Sequence, residues 1–569
     1  MAEDPVLEHV AALLARASGF RALDAHRLRD VAAACAWFCV PGGTVLLRRG
    51  DPSDAIYILI NGLLGAYRHD PEGREILLNR IGPGAAVGEI GFITGKPRSA
   101  TVKALRASEL LEIAAADFAD IERFPGVLRS LCGRIVRLLE SAENPRMREA
   151  RPRTFCIVPH DASVDAEAFA RRFASSLGDI RSVVVRKDEA ERQTAEWFTR
   201  LEGLHEAVIY GAEPGPTPWT RLCLRQADRI LLLARGVAEP RPFAALGPGH
   251  RDLPEGIRAE TVLLWDRIEP GRTARWLALT GSERHHHVRS QADAERAARL
   301  IAGRGRGLVL SGGGARGLAH IGVVRALQER RIAFDAVGGT SIGAVIGAAL
   351  AMELDHAAMR EGFLNTFLRR RPLADFALSR SSLLSGHRLR RMYEEWFGAT
   401  GIEDMPIRYF CVATDLTRGS ASVHDRGPLV KWLQASTAIP GVFPPVLDNG
   451  AIHVDGGVVN NLPVDVMRPM DVRSILAVDA APDAPADDPH AHARTAAEPR
   501  PPNLIELLWR VGTVSSCAKS MQADAQADVV LRPTVPGVGL LSWRAFERVV
   551  EAGYGAAMQR MRDIEALTG

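Results

Sequence analysis

Over the first 140 residues, short apolar runs alternate with clusters of turn residues. Gly42–Arg48, Ala55–Ile60, Leu63–His69, Glu75–Arg80 and Thr101–Ala104 read as strands, separated by GDPSD, ING, DPEG and GPG. Closely spaced short strands with such punctuation predict a small β-roll. Two helical stretches precede it and Ala116–Leu139 returns to a helical period, so residues 1–145 form one candidate domain.

Proline and arginine at Pro145–Pro152 mark a linker. From Thr154 the pattern changes: FCIVPH, SVVVR, AVIYG, ILLLAR and TVLLWD are continuous apolar runs, interleaved with helical stretches at Ala166–Leu177 and around Ala190–Leu204. That alternation predicts a parallel sheet covered on both faces over residues 153–303. A second βα pattern occupies 305–569. Asp479–Asn503, rich in Ala, Pro and Asp and free of aromatics, interrupts it as an expected mobile surface loop. The fold class is therefore multidomain: a β-roll with flanking helices, an α/β middle domain and a C-terminal α/β domain.

Composition changes this picture in three places. A length of 569 residues suits three or four domains at roughly 100–200 residues each. Lys+Arg is 71 and Asp+Glu is 68, a formal charge of +3, which removes the electrostatic case for a nucleic-acid partner. Seven scattered cysteines with no CxxC pair argue against a disulfide framework or a zinc site and suit a reducing cytoplasm. The acidic start MAEDPVLEHV does not read as a secretory signal. Ala336–Met352 is uncharged, but it is too short and too broken by glycine for a membrane span. His285–His287 cannot all face one ion, so a solvated loop is expected there and no metal site.

Candidate chemistry begins at GLVLSGGGARGLAHIGVVRAL, a strand, a glycine loop and a helix. Gly312, Gly314 and Gly317 satisfy GxGxxG, and Asp335 follows 18 residues later, as in a dinucleotide-binding unit. The same backbone amides suit the oxyanion of a tetrahedral intermediate, and the loop alone leaves both readings open. In the next βα unit, Gly339-Thr340-Ser341-Ile342-Gly343 lies between an apolar strand and a small-residue helix. There a sharp turn exposes a serine oxygen and flanking glycines remove the Cβ atoms that would clash. AIHVDGGVVNNLP then brings Asp455 to a Gly456-Gly457 turn, where a carboxylate could activate the serine as a histidine does elsewhere. His320 and His453 lie nearest these motifs.

GGGARG, GTSIG and DGG in this order resemble the patatin-like phospholipase family, and ASTAIPGVFPPV (Ala435–Val446) resembles its bacterial and neuropathy-target-esterase branches. The resemblance implies a three-layer α/β hydrolase using a Ser–Asp dyad. Ser341 would be the nucleophile and Asp455 its base. Gly312, Gly313, Gly314, Arg316 and Gly317 would form the oxyanion loop, Gly339 and Gly343 the elbow, and Asp455, Gly456 and Gly457 the DGG turn. It also implies a lysophospholipid or phospholipid substrate, no catalytic cofactor and no metal. The segment Tyr210–Gly236 resembles neuropathy target esterase proteins as well. Those relatives carry several nucleotide domains and a membrane helix, so regulation and membrane attachment do not transfer with the resemblance.

Within the roll, VGEIGFITGKPRSATV resembles the phosphate-binding cassette of cyclic-nucleotide-binding domains. Gly88, Glu89, Ile90, Arg98 and Ser99 are its candidate contacts: Arg98 would pair with the phosphate and Glu89 would accept from the ribose 2′-hydroxyl. The implied regulatory ligand is cAMP or cGMP. Val87 and Gly91 depart from the commonest form. Three alternatives stay open: a dinucleotide oxidoreductase, which leaves GTSIG and DGG unexplained; a cyclic-nucleotide sensor; and a general esterase or triacylglycerol lipase. A cytoplasmic protein with peripheral contact at the inner membrane face is expected, through Arg369–Arg371 and Leu383–Leu384.

Overall fold

In the computed structural model, the described residues are 5–16, 20, 24–69, 75–114, 151–190, 192–247, 253, 257–366, 375–377, 381–480, 516, 525–540 and 542–568. The expected helix at 116–139, residues 145–150 of the linker, residues 367–374 of the basic segment and all but the first two residues of the 479–503 loop lie outside them. The chain divides into two compact units. One comprises Met1–Leu264 with Leu279–His285, the other Trp265–Ala278 with His286–Gly569.

The first unit opens with helices Pro5–Arg16 and Ala25–Ala33, the second capped by the Asp24 carboxylate. The roll follows as two four-stranded sheets. Strands β1 (Cys35–Val40), β2 (Val45–Leu47), β3 (Ala55–Asn61), β4 (Leu64–His69), β5 (Glu75–Ile81), β6 (Ala86–Val87), β7 (Thr101–Ala104) and β8 (Ser108–Ala114) pair in the orders β1-β8-β3-β6 and β2-β7-β4-β5. Strand alternation sorts the side chains. Ile56, Ile58, Leu111 and Ile113 face the helical residues Val10, Leu14 and Val31, while Leu59, Leu64, Val102 and Leu110 fill the roll.

The same unit contains a parallel sheet of β9 (Thr154–Pro159), β10 (Ser182–Val185), β11 (Ala207–Gly211), β12 (Arg229–Arg235) and β13 (Arg258–Leu264), in the order β10-β11-β9-β12-β13. Roll and sheet are joined by a buried ion cluster. Arg106, after β7, donates through Nε to Asp228 at 2.7 Å and through both terminal nitrogens to Glu202 at 2.9 and 3.2 Å.

Strand β14 (Arg284–Val288) corrects the expectation for the histidine run. His286 and His287 are buried in a strand and do not lie in a solvated loop. His287 accepts from Trp265 Nε1 at 2.9 Å through Nδ1, its Nε2 lies 2.9 Å from the Glu403 carbonyl, and burial lowers its pKa to about 4. Strong flanking partners made these histidines core residues, which the triplet alone did not signal.

The second unit is a three-layer α/β domain around β15 (Gly305–Leu310), β16 (Ala336–Thr340), β17 (Arg408–Asp415), β18 (Ser420–His424), β19 (Val446–Asp448), β20 (Ala451–Asp455), β21 (Val472–Val478) and β22 (Val529–Leu531), paired in the runs β17-β16-β15-β21-β22 and β17-β20-β19 with β18 also on β17. Leu308, Leu310 and Val337 pack under helices Ala319–Glu329 and Ile342–Ala351 on one face. Val309, Ala336, Phe410 and Ile475 pack against Leu462, Val464 and Met467 on the other.

Candidate active site

Two strands meet tip to tip on one edge of β17. β16 runs parallel to it and ends with Thr340 opposite Val412. β18 fills the opposite edge from Cys411 to Asp415, so β20, which pairs antiparallel with Ala413–Asp415, must share the β16 edge. Asp455 therefore lies opposite Ala413, one position beyond Val412, and the chain register delivers it to the residue after Thr340. Ser341 Oγ donates to Asp455 Oδ2 at 2.7 Å.

Ser341 occupies φ 55°, ψ −125°, a conformation that costs a non-glycine residue of order 1–3 kcal/mol and is held by tight packing. A Cβ on Gly343 would stand 2.4 Å from the Leu310 carbonyl oxygen, and one on Gly339 2.7 Å from the Gly343 backbone. Gly317 serves the same turn, because its Cβ would meet Ile342 Cγ2 at 2.2 Å. Although both dyad residues sit on turns, neither is surface material: Ser341 is 5% exposed and Asp455 0%. Burial raises the Asp455 pKa to about 7 against the pull of hydrogen bonds from Ser341 and the Gly457 amide, the latter at 2.8 Å. A carboxylate poised near 7 is matched to general-base work at neutral pH.

Most amides around the serine are already engaged. Ser341 N–H donates to Ser436 Oγ at 2.9 Å, and that hydroxyl donates onward to the Val412 carbonyl at 2.7 Å. Gly312 N–H donates to the Asn461 carbonyl at 3.2 Å and Ala315 N–H to the Leu540 carbonyl at 2.8 Å. The amides of Gly313 and Gly314 have no acceptor among the described residues, unlike that of Gly312. Arg316 donates from Nη1 to the Val538 carbonyl at 3.5 Å.

Asn460 and Asn461 went unassigned in the sequence, yet they bracket all three motifs. Thr340 Oγ1 donates to the Asn460 carbonyl at 2.9 Å, fixing the elbow, and Asn461 Nδ2 returns a bond to the Gly312 carbonyl at 3.3 Å. The segment following Asp455 thereby clasps the Gly312 peptide at both ends. The signal was the Asn-Asn pair in VVNNLP, which reads as turn chemistry in isolation.

Neither nearby histidine is placed as a base. His320 is fully buried, lies 2.9 Å through Nε2 from the Ser311 carbonyl, and has its pKa lowered by burial to about 4. His453 is buried edge-on to the stacked His424–Trp432 pair. The dinucleotide reading also loses its acid: Asp335 is buried and holds Arg299 Nη2 at 2.7 Å and the Arg306 amide at 3.0 Å, so it is not presented to a ribose. Among the described residues no His/Cys/Asp/Glu cluster could hold a metal.

In the roll, Gly88 takes φ +85° before helix Glu89–Thr94, and a Cβ there would lie 2.4 Å from Arg98 Nη1. Glu89 is buried, Ile90 is half-buried with its carbonyl accepting from Thr94 Oγ1, and Ser99 is exposed. Arg98 is buried but has internal partners: the Gly88 carbonyl at 3.1 Å, the Ala55 carbonyl at 2.8 Å and Asp54 Oδ1 at 3.3 Å. Arg98 thus already meets three acceptors within the roll, besides the phosphate expected of it. Its Nε remains buried without a partner, which fits an anion at this place.

Three family descriptions match the chain: Cyclic nucleotide-binding domain at residues 38–123, Neuropathy Target Esterase family P-loop like domain at 151–306, and Patatin-like phospholipase at 308–468. Lysophospholipase nte1 of Aspergillus fumigatus is 28% identical over 98% of this chain and 44% of its own length. Patatin-like phospholipase domain-containing protein 6 of Mus musculus is 28% identical over 93% of this chain and 45% of its own. The chain spans less than half the length of these curated relatives. In the P-loop-like region, the loop after β9 reads His160-Asp161-Ala162-Ser163-Val164-Asp165, without the glycines and lysine that cradle a phosphate. Asp165 itself caps the following helix, accepting from the Ala168 amide at 2.8 Å.

Proposed function

We propose that this chain, whose segments match a cyclic nucleotide-binding domain, a Neuropathy Target Esterase family P-loop like domain and a patatin-like phospholipase, is a serine lipid-ester hydrolase of lysophospholipase or phospholipase type. One observation carries the reading: a buried serine hydroxyl donates at 2.7 Å to an aspartate whose pKa is raised to about 7.

Ser341 Oγ attacks the acyl carbonyl carbon while its proton passes to Asp455 Oδ2. The carbonyl oxygen becomes an oxyanion facing the Gly313 and Gly314 amides. As the intermediate collapses, the ester C–O bond breaks and Asp455 returns its proton to the departing glyceryl oxygen, leaving an acyl-Ser341 ester. Water then gives a proton to Asp455 and adds to the acyl carbon. Collapse releases the fatty acid and restores the serine hydroxyl. These transfers balance with the two side chains alone and call for no cofactor.

In this reading the protein works in the cytoplasm, in peripheral contact with the inner face of the membrane, and cAMP or cGMP in the roll regulates it. No described helix is long and apolar enough to cross a membrane. The test is fatty-acid release from a lysophospholipid panel by wild type, Ser341→Ala and Asp455→Asn. Each substitution should lower the rate by about a thousandfold or more, and the double variant should be little worse. Retained activity in Asp455→Asn would remove the dyad. A preference for triacylglycerol over lysophospholipid would favour the general-lipase reading.

A further inference from the structure

Large apolar side chains on the surface of the second unit are not scattered. Among the described residues they are Phe376 (80% exposed), Leu447 (71%), Leu416 (50%), Val423 (42%) and Ile452 (40%). Each belongs to a segment attached to the dyad. Leu447 and Ile452 are cross-strand partners in the β19–β20 hairpin, and Ile452 lies three residues before Asp455. Leu416 follows the end of β17, and its amide donates to the Ile452 carbonyl at 2.8 Å. Val423 lies on β18, opposite Val412 of β17. Phe376 forms a β-bridge with Leu384, whose amide donates to the Val442 carbonyl at 2.9 Å, in the loop whose Ala438 carbonyl accepts from the Asp455 amide at 2.9 Å.

Strand direction places this cluster relative to the chemistry. β15, β16 and β17 are parallel, and Ser341 follows the carboxyl end of β16. β20 runs the opposite way, so stepping back from Asp455 through Ile452 to the Asn449–Gly450 turn leads beyond the carboxyl ends of those strands. Ligands of parallel α/β sheets approach from that end. The hairpin thus projects past the dyad on the side a substrate enters.

Charge complements the apolar tips. The Arg418 side chain, two residues after Leu416, is 79% exposed. Across a cavity of about 520 Å³ whose wall includes Val446 at the start of β19 stands helix His387–Phe397, and its Arg388 and Arg391 are exposed. Isolated exposed leucines need no explanation, but apolar side chains gathered at one end of a domain and flanked by arginine mark an interaction surface.

We propose that the β19–β20 hairpin, with Leu416 and Phe376, seats the catalytic end of this unit on an anionic lipid surface. Leu447 and Ile452 enter the acyl layer, while Arg418 and the arginines of the 387–397 helix meet headgroup phosphates. The occupant is a lipid aggregate, because the ester proposed above resides in one; the inference rests on that reading for the identity of the surface.

The experiment uses the full chain with phosphatidylcholine vesicles containing phosphatidylglycerol. Vesicle sedimentation, hydrolysis of a vesicle-borne lysophospholipid and hydrolysis of a water-soluble short-chain ester are measured for wild type, Leu447→Asp, and Leu447→Asp combined with Ile452→Asp. The single variant guards against misfolding, since Leu447 has little packing to lose. Vesicle partitioning and the vesicle-borne rate should both fall about tenfold or more in the double variant, with the soluble-ester rate unchanged. Wild-type binding in the variants, or no vesicle binding by wild type, overturns the proposal. So does a dimer of wild type that the substitutions dissolve, which would make the face a contact between copies. Vesicle binding lost in the variants, with no ester hydrolysed by wild type, would sink the proposed function and leave the docking surface standing.

Discussion

Replacing Asp455 with asparagine should abolish hydrolysis and stabilise the second unit, and the stabilisation should depend on pH. In the folded chain Asp455 keeps its proton up to about pH 7, because burial raises its pKa from 3.8. In the unfolded chain the proton leaves near 3.8. Between those values the native state binds more protons, so stability falls as pH rises through that window. About three pH units at 1.36 kcal/mol each give an upper bound of about 4 kcal/mol for the penalty at pH 8. Asparagine is neutral and nearly isosteric, and its side-chain carbonyl can still accept from the Gly457 amide. Reversing the bond to Ser341 takes back about 1 kcal/mol. Urea unfolding followed in the second unit should show Asp455→Asn about 2–4 kcal/mol more stable than wild type at pH 8 and close to it near pH 4. A difference that does not change with pH, or a variant less stable at pH 8, would refute the reasoning. The same proton governs the rate. Activity requires the ionised carboxylate, so kcat/KM should drop about tenfold per unit as pH falls below about 7.

Three further outcomes follow from named contacts. Asn461→Ala removes the side-chain half of the clasp on Gly312, so kcat should fall about a hundredfold with KM little changed, and steady-state kinetics on a soluble ester will report the split. In calorimetry with cAMP and cGMP, Arg98→Ala should abolish binding and Glu89→Ala should weaken it less, while Asp54→Asn should tighten it several-fold by removing the carboxylate that competes for Arg98. Arg106→Ala leaves Glu202 and Asp228 buried without their cation, so denaturant unfolding of the first unit should show a loss of about 3–5 kcal/mol.

Turn chemistry made much of the roll legible, because Gly, Pro, Asp and Asn bound β3, β4 and β5 on both sides. β1 and β8 escaped for the lack of it. CAWFCV follows a helix with no intervening breaker, and SELLEIA carries charges at a spacing that suits a helix as well as a strand. In the second unit each catalytic motif was readable because local geometry demands its glycines. What brings Ser341 and Asp455 together was not readable, since it rests on two strands 114 residues apart in sequence sharing one edge of β17. The Asp455 pKa was equally hidden, being a consequence of burial and not of neighbouring residue types. The internal partners of Arg98 were not readable either, since the backbone carbonyls of Ala55 and Gly88 that it meets leave no mark on residue type.

The bracket formed by Asn460 and Asn461 bears on how the proposed dyad would be held in a buried place. A two-residue dyad has no third group to orient its base, so orientation must come from the backbone that carries it. Asp455 is fixed by its own Gly457 amide on one side and by the Ala438 carbonyl, which accepts its amide, on the other. Five and six residues later the same segment accepts from Thr340 and Gly312. The elbow, Asp455 and the Gly312 end of the glycine loop are therefore referred to one short stretch of chain, and a shift of that stretch would move all three together. Rigid coupling of this kind preserves the 2.7 Å contact in a buried site, where a misplaced donor or an unpaired carboxylate would be most costly. It also means that a regulatory signal acting on the stretch from Asp455 to Asn461 would alter nucleophile activation and oxyanion binding at once, so that its effect would appear in kcat before it appeared in KM.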